Sequence, residues 1–183
     1  MPDNDDLIDV LLTQHAQIEE QFVLVAGSTS DARRDAFDDL VRLLAAHETA
    51  EEEVVHPLSR GLAAAGGDAM VEDRLLEERQ AKEMLTALVD GGVDAEGFDA
   101  GLLVLRDAVL VHARHEERYE FPHLRASVPA DRLRTLAGVL RAAEAAAPTR
   151  PHAGTETAKA NLLAGPPLAV IDRVRDAVRR ASD

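Results

Sequence analysis

Two stretches of this chain carry the same pattern of groups able to hold a metal. His47-Glu-Thr-Ala-Glu51-Glu52 is followed by Pro57, and His112-Ala-Arg-His-Glu116-Glu117 is followed by Pro122; both read H-x-x-x-E-E-x-x-x-x-P. Residues four apart in a helix lie one turn apart on one face, so each copy can aim an imidazole and a carboxylate at one point. Two such helices facing each other make a cage for cations. The chain has no cysteine, so thiolate ligands, iron-sulfur clusters and disulfides are excluded, and a metal site must use His and carboxylates.

The elements that must position these groups are helices. Aromatics make up 3% of the 183 residues, and Leu, Ala, Val, Glu, Arg and Asp dominate, which predicts an all-α chain of ordinary domain size. Apolar periodicity gives four long segments. The first, about residues 5 to 26, carries Ile8, Leu11, His15, Ile18, Phe22 and Val25. The second, capped by Ser30 or Asp31, carries Phe37, Leu40, Leu44, His47, Glu51, Val54 and Leu58. A third, from the Gly66-Gly67-Asp68 turn to about Val89, carries Val71, Leu75, Glu78, Leu85 and Val89, and Gly91-Gly92 ends it. The fourth begins near Asp94 and carries Phe98, Leu102, Leu105, Val109, His112, Glu116, Tyr119 and His123. A fifth helix is predicted over about 130 to 146. Pro- and Gly-rich linker composition follows, then a short amphipathic segment from Leu168 to Arg180 suited to docking on the bundle or on a partner subunit.

His15, His47, Glu51, His112 and Glu116 therefore fall on apolar stripes. Taking an unpaired carboxylate out of water costs several kcal/mol, about the size of a domain's whole stability, so a buried set of this kind calls for a cation among them. The formal net charge of -14 argues against nucleic-acid and anionic-membrane surfaces, which need a basic footprint. No apolar run is long enough to span a bilayer, and the opening residues lack the basic start and hydrophobic stretch of a signal peptide; the cytoplasm is the expected compartment.

The order of a lone His on the first helix, HxxxE on the second, a ligand on the third and HxxxE on the fourth resembles the hemerythrin-like cation-binding (HHE) family. The likeness spans about residues 5 to 125 and rests on Thr13-Gln14-His15 and the two HxxxEE motifs. It implies an up-down-up-down four-helix bundle, about residues 1 to 128, with residues 129 to 183 as an appended C-terminal part. It further implies two irons with a bridging oxo or hydroxo group, manganese being an alternative, with His15, His47, Glu51, His112 and Glu116 at family ligand positions and the two glutamates bridging. On the third helix the family pattern usually supplies a His, whereas this chain has Glu77-Glu78-Arg79-Gln-Ala-Lys82. Alignment and stripe position select Glu78, with Glu77 as the fallback, and Lys82 one turn on is placed to pair with Glu78 and suppress metal binding there. A third carboxylate favours the ferric state over reversible dioxygen carriage.

The function this implies is handling of small oxidants, above all catalase-like decomposition of hydrogen peroxide in oxidative-stress defence. The rival reading is reversible binding of dioxygen or nitric oxide, or iron or oxygen sensing, without turnover. A homodimer is compatible with either. Tyr119, seven residues after His112, is a candidate proton donor or hydrogen-bond partner at the site. His56 is expected on the opposite side of its helix from His47, His115 off the centre of its stripe, and His123 about 16 Å along the helix from His112. These, and His152 in the linker, are read as non-ligands, and Glu52 and Glu117 as solvated charges.

Overall fold

The computed structural model describes residues 5–62 and 67–146, and among these the chain is helices joined by short turns, with no strand. Helix α1 (Leu7–Gly27) starts at a reciprocal cap: Asp6 accepts from the Asp9 amide and Asp9 from the Asp6 amide, each at 3.0 Å. Helix α2 (Ser30–Ala50) starts one residue after Thr29, whose side chain makes no capping bond, so the Ser30 or Asp31 cap is not used. A π-helical turn (Glu51–Val55) then continues directly into α3 (His56–Gly61). Helix α4 (Gly67–Gly91) ends at Gly92, whose φ of 79° is the left-handed conformation that closes many helices.

The fourth rod starts later than its periodicity suggests. Asp94 to Gly97 form a turn, with Gly97 at φ 87°, and α5 (Phe98–His115) follows. A second π turn (Glu116–Glu120) and α6 (Phe121–Ser127) complete the rod. Short connections make the four rods run up, down, up, down, as a four-helix bundle. Helix α7 (Ala130–Ala146) is the expected fifth helix and packs on α1. The linker and the amphipathic segment after it lie outside the described residues.

The core has two apolar layers with a polar layer between them. At one end Leu7, Ile8 and Leu11 of α1 meet Val54, Val55, Phe121, Leu124 and, from α7, Leu133, Leu136 and Leu140. At the other, Ile18, Phe22 and Val25 meet Phe37, Leu40, Leu44, Leu85, Leu88, Phe98, Leu102, Leu105 and Val109. His15 sits between Leu11 and Ile18, His47 and Glu51 between Leu44 and Val54, Glu78 between Val71 and Ala81, and His112 and Glu116 between Val109 and Phe121, so all four rods change from apolar to polar at one level. The polar residues at that level are themselves buried, which raises the cost of any charge left uncompensated there.

Candidate metal centre

Both copies of the repeated motif share a local distortion that decides which side chains face inward. Proline has no N–H and its ring clashes with the carbonyl four residues back, so Pro57 and Pro122 strain a regular helix just ahead of them. The chain answers with a wider turn in which the residue before each proline bonds five back: His56 N–H to Glu51 O, and Phe121 N–H to Glu116 O. Each residue of an α-helix rotates about 100°, and a π turn absorbs one extra residue, so everything beyond it slips back by about 100°.

That slip explains three departures from expectation. His56, nine residues after His47, is half a turn off in a straight helix; the wide turn carries it inward, where it is 4% exposed. Tyr119 would stay on the His112 face of a straight helix, but it is 53% exposed and lies against His115 and Arg118 at the surface. Glu120, which the sequence reading passed over, takes the inward place and is fully buried. The recurring proline five residues after the second glutamate was the available signal.

At the polar level, His15, His47, Glu51 and Glu116 can each offer one atom to a common point, all within 4.8 Å of one another, and Glu51, Glu78 and His112 form a second such group. Glu51 belongs to both. Its Oε1 lies 2.8 Å from His47 Nε2 and its Oε2 3.6 Å from His112 Nε2, while Glu116 Oε2 stands 3.3 Å from His15 Nε2 and 3.6 Å from His112 Nε2. Each carboxylate thus spans two imidazoles.

The imidazoles are oriented from behind. His15 Nδ1 donates to Glu117 Oε1 at 2.8 Å, His47 Nδ1 to Gln14 Oε1 at 2.7 Å, and His112 Nδ1 to Glu77 Oε2 at 3.0 Å. With each Nδ1–H committed outward, each Nε2 is the atom left facing the cluster, the one a metal-binding histidine offers once its proton is displaced. Glu117, expected to be a free surface charge, is therefore a supporting group. Glu77 also accepts from His115 and pairs with Arg74; burial pushes its carboxyl up, but the His112 hydrogen bond, then Arg74 and His115, hold it below the usual range. Glu78, 3% exposed, lies inside the cluster instead, and Lys82 pairs with Glu48 and Glu52 rather than with it.

Among protein groups alone the level is electrostatically incomplete. The side-chain atoms His15 Nε2, His112 Nε2, Glu78 Oε2 and both oxygens of Glu51 and of Glu116 are buried without a hydrogen-bond partner. Such atoms are rare in native interiors, and here they converge. Burial pushes Glu51 up, but His47 and His112 overcome it and hold the carboxyl well below its usual range; Glu116, buried beside the charge of Glu51, is pushed well above. Burial opposes protonation of His112, yet Glu116, Glu51 and Glu77 raise it to about 11. The groups retain protons where cations would do the same work. Three imidazoles and three carboxylates, soft enough for a transition metal and hard enough for its oxidised state, fit metal binding at this level.

Against this level lies a cavity of about 30 Å³ lined by Ile18, Leu44, Ala81, Val109, Leu110 and Ala113 on its apolar side and by His15, His47, Glu48, Glu51, Glu78 and His112 on the other. It has room for about two water-sized molecules. Burial pushes Glu48 up to about 7, against the pull of Lys82.

The hemerythrin HHE cation-binding domain matches residues 6–124, from the α1 cap into α6, the segment that builds this level. The chain belongs to the hemerythrin HHE family. No curated protein and no solved structure matches it significantly. Membership and the buried His/Glu cluster make this a metal-binding protein of hemerythrin type, with iron the metal the family favours. Helix α7 lies beyond the matched segment and closes the end of the hemerythrin bundle nearest Phe121. No helix among the described residues is long and apolar enough to cross a membrane.

Proposed function

We propose that this hemerythrin-like protein holds two iron ions through His15, His47, Glu51, Glu78, His112 and Glu116 and handles small oxidants in the cytoplasm, foremost by catalase-like decomposition of hydrogen peroxide. The observation that carries the reading is the pair of converging His/Glu groups joined at Glu51, with their inward atoms unpartnered and a small cavity alongside. Two irons bound there would supply the redox equivalents and an open position for a small oxygen or nitrogen species.

The chain's own residues do the rest. Glu51 and Glu116 each bring oxygens to two imidazoles at once, so they would be the residues that hold cations bound to either converging group together. Glu117, Gln14 and Glu77 fix the imidazole tautomers. Leu44, Val109 and Leu110 leave space for a molecule of two heavy atoms while excluding larger reductants. Glu78, as a third carboxylate, biases bound iron toward the ferric state, which suits peroxide chemistry better than reversible carriage.

The mostly apolar cavity wall also suits dioxygen or nitric oxide, which supports reversible gas binding or sensing as the second reading. One experiment separates the two: iron-loaded protein of known metal content is mixed with hydrogen peroxide in an oxygen electrode. Sustained oxygen release, lost in Glu78→Ala, is the expected result. About two irons per chain with a spectral change on dioxygen or nitric oxide, but no turnover, would move the assignment to gas binding.

A further inference from the structure

Of the third rod's carboxylates only Glu78 joins the converging groups, and a glutamate with two free oxygens has several ways to meet a cation. His56 removes that freedom. Its ring is buried, and its Nε2 lies 2.6 Å from Glu78 Oε1, so that oxygen is already occupied, while Oε2 has no hydrogen-bond partner. On the other side, His56 Nδ1 faces Glu120 Oε1 at 3.7 Å, an ion-pair distance too long for a hydrogen bond, and Glu120 accepts a hydrogen bond from Ser59 Oγ. Burial works against protonation of His56, but Glu120 and Glu78 raise it to about 10. Ser59, Glu120, His56 and Glu78 thus form one buried polar chain reaching from α3 and the second π turn to α4, and both π turns are needed to assemble it.

We propose that His56 is the positioning residue for Glu78, occupying Oε1 so that Glu78 meets a cation through Oε2 alone, with Glu120 and Ser59 holding the His56 ring in place. His56 does not join either converging group of possible ligand atoms, so its action runs through Glu78. An imidazole N–H on a carboxylate oxygen fixes both the carboxylate's rotation and its number of free lone pairs, the usual role of a partner one step behind a metal ligand. The inference rests on the two-metal reading of the site.

The test is anaerobic calorimetric titration of the chelator-stripped full-length chain with ferrous iron, read together with the optical spectrum after air oxidation. Circular dichroism checks that each variant is folded. Wild type should take up about two ions. His56→Ala should keep one tight ion and bind the other roughly 10–100-fold more weakly, with an altered iron absorption band. His56→Gln, which retains an N–H donor, should recover most of both, and Glu78→Ala should weaken the same ion. Should His56→Ala fail to fold, Ser59→Ala, which removes one hydroxyl from the end of the chain, should show the same effect at smaller size. His56→Ala titrating like wild type would overturn the proposal. So would His56→Gln behaving no better than alanine, or Glu78→Ala binding two ions while His56→Ala binds one, which would make His56 itself the ligand. Wild type taking up no iron would instead overturn the two-metal reading, a result distinct from all of these.

Discussion

The two copies of H-x-x-x-E-E-x-x-x-x-P build the same backbone and then use it differently. Both place their His and first Glu inward and both open into a π turn before the proline. The residue before the proline is buried in each, but in the first copy it is His56, bonded to Glu78, and in the second it is Phe121, stacked on His15 at 5.6 Å. One position earlier, the first copy buries Val55 and the second Glu120. The repeat thus sets geometry, while the residues just after the wide turn decide whether a rod supports the cluster by hydrogen bonding or by packing. The backing of the imidazoles differs too: a neutral amide from Gln14 stands behind His47, and a carboxylate from Glu77 behind His112.

The largest effect should come from the residue that both groups share. Glu51→Ala removes an oxygen from each converging set, so iron content measured by elemental analysis should fall from about two per chain to well below one, whereas His15→Ala, which touches one set, should leave about one. Equal losses in the two variants would dissolve the idea of a shared bridge.

Next in size is the packing partner in the second copy. Phe121→Ala opens a void beneath His15 in a layer where Phe121 is 2% exposed, and should cost about 3–5 kcal/mol of unfolding free energy by denaturant titration. A loss below about 1 kcal/mol would mean that α7 and α6 collapse into the space and that the packing support is slack.

The backing groups should act more gently and on metal rather than fold. Glu77→Gln gives the second copy the neutral support of the first. It should weaken iron binding roughly 10–100-fold while leaving the stoichiometry near two. An unchanged affinity would show that the carboxylate behind His112 is no better than an amide.

Protons sharpen the same contrast in the chelated protein. His112 and His56, raised from about 6.5 to about 11 and about 10, stabilise the metal-free fold fully below about pH 6.5, and that stabilisation is lost as pH rises toward 10 to 11. The melting temperature of metal-free protein should therefore fall between pH 7 and 10. Iron uptake should release protons and tighten over the same interval, because the cation takes the place of the proton on His112. A flat or rising melting temperature would contradict the charge balance derived for the polar level. The smallest effect is reserved for Tyr119→Phe, which at a half-exposed surface position should shift stability by less than about 0.5 kcal/mol and leave peroxide turnover unchanged.

The bundle was legible in the sequence because its information is periodic. Ile8, Leu11, His15 and Ile18, or Leu44, His47 and Glu51, announce both a helix and its inward face, and the polar residues on those stripes mark the level where a charge must be compensated. What periodicity cannot carry is a change of period. A π turn adds one residue without altering composition, so extrapolation beyond Glu51 and Glu116 put Tyr119 inside and His56 outside, the reverse of what the fold does. The backing residues Gln14, Glu77 and Glu117 were hidden for another reason. Each lies at the edge of a stripe, where a polar side chain is ordinary, and its role depends on the neighbouring rod it meets, which no local pattern specifies.

The most direct test of the central claim is anomalous diffraction at the iron absorption edge from crystals of iron-loaded protein. Two peaks on either side of the Glu51 carboxylate are expected, one among His15, His47 and Glu116 and the other between His112 and Glu78. A single peak, or peaks displaced to the surface carboxylates, would contradict a two-metal centre built on the repeated motif.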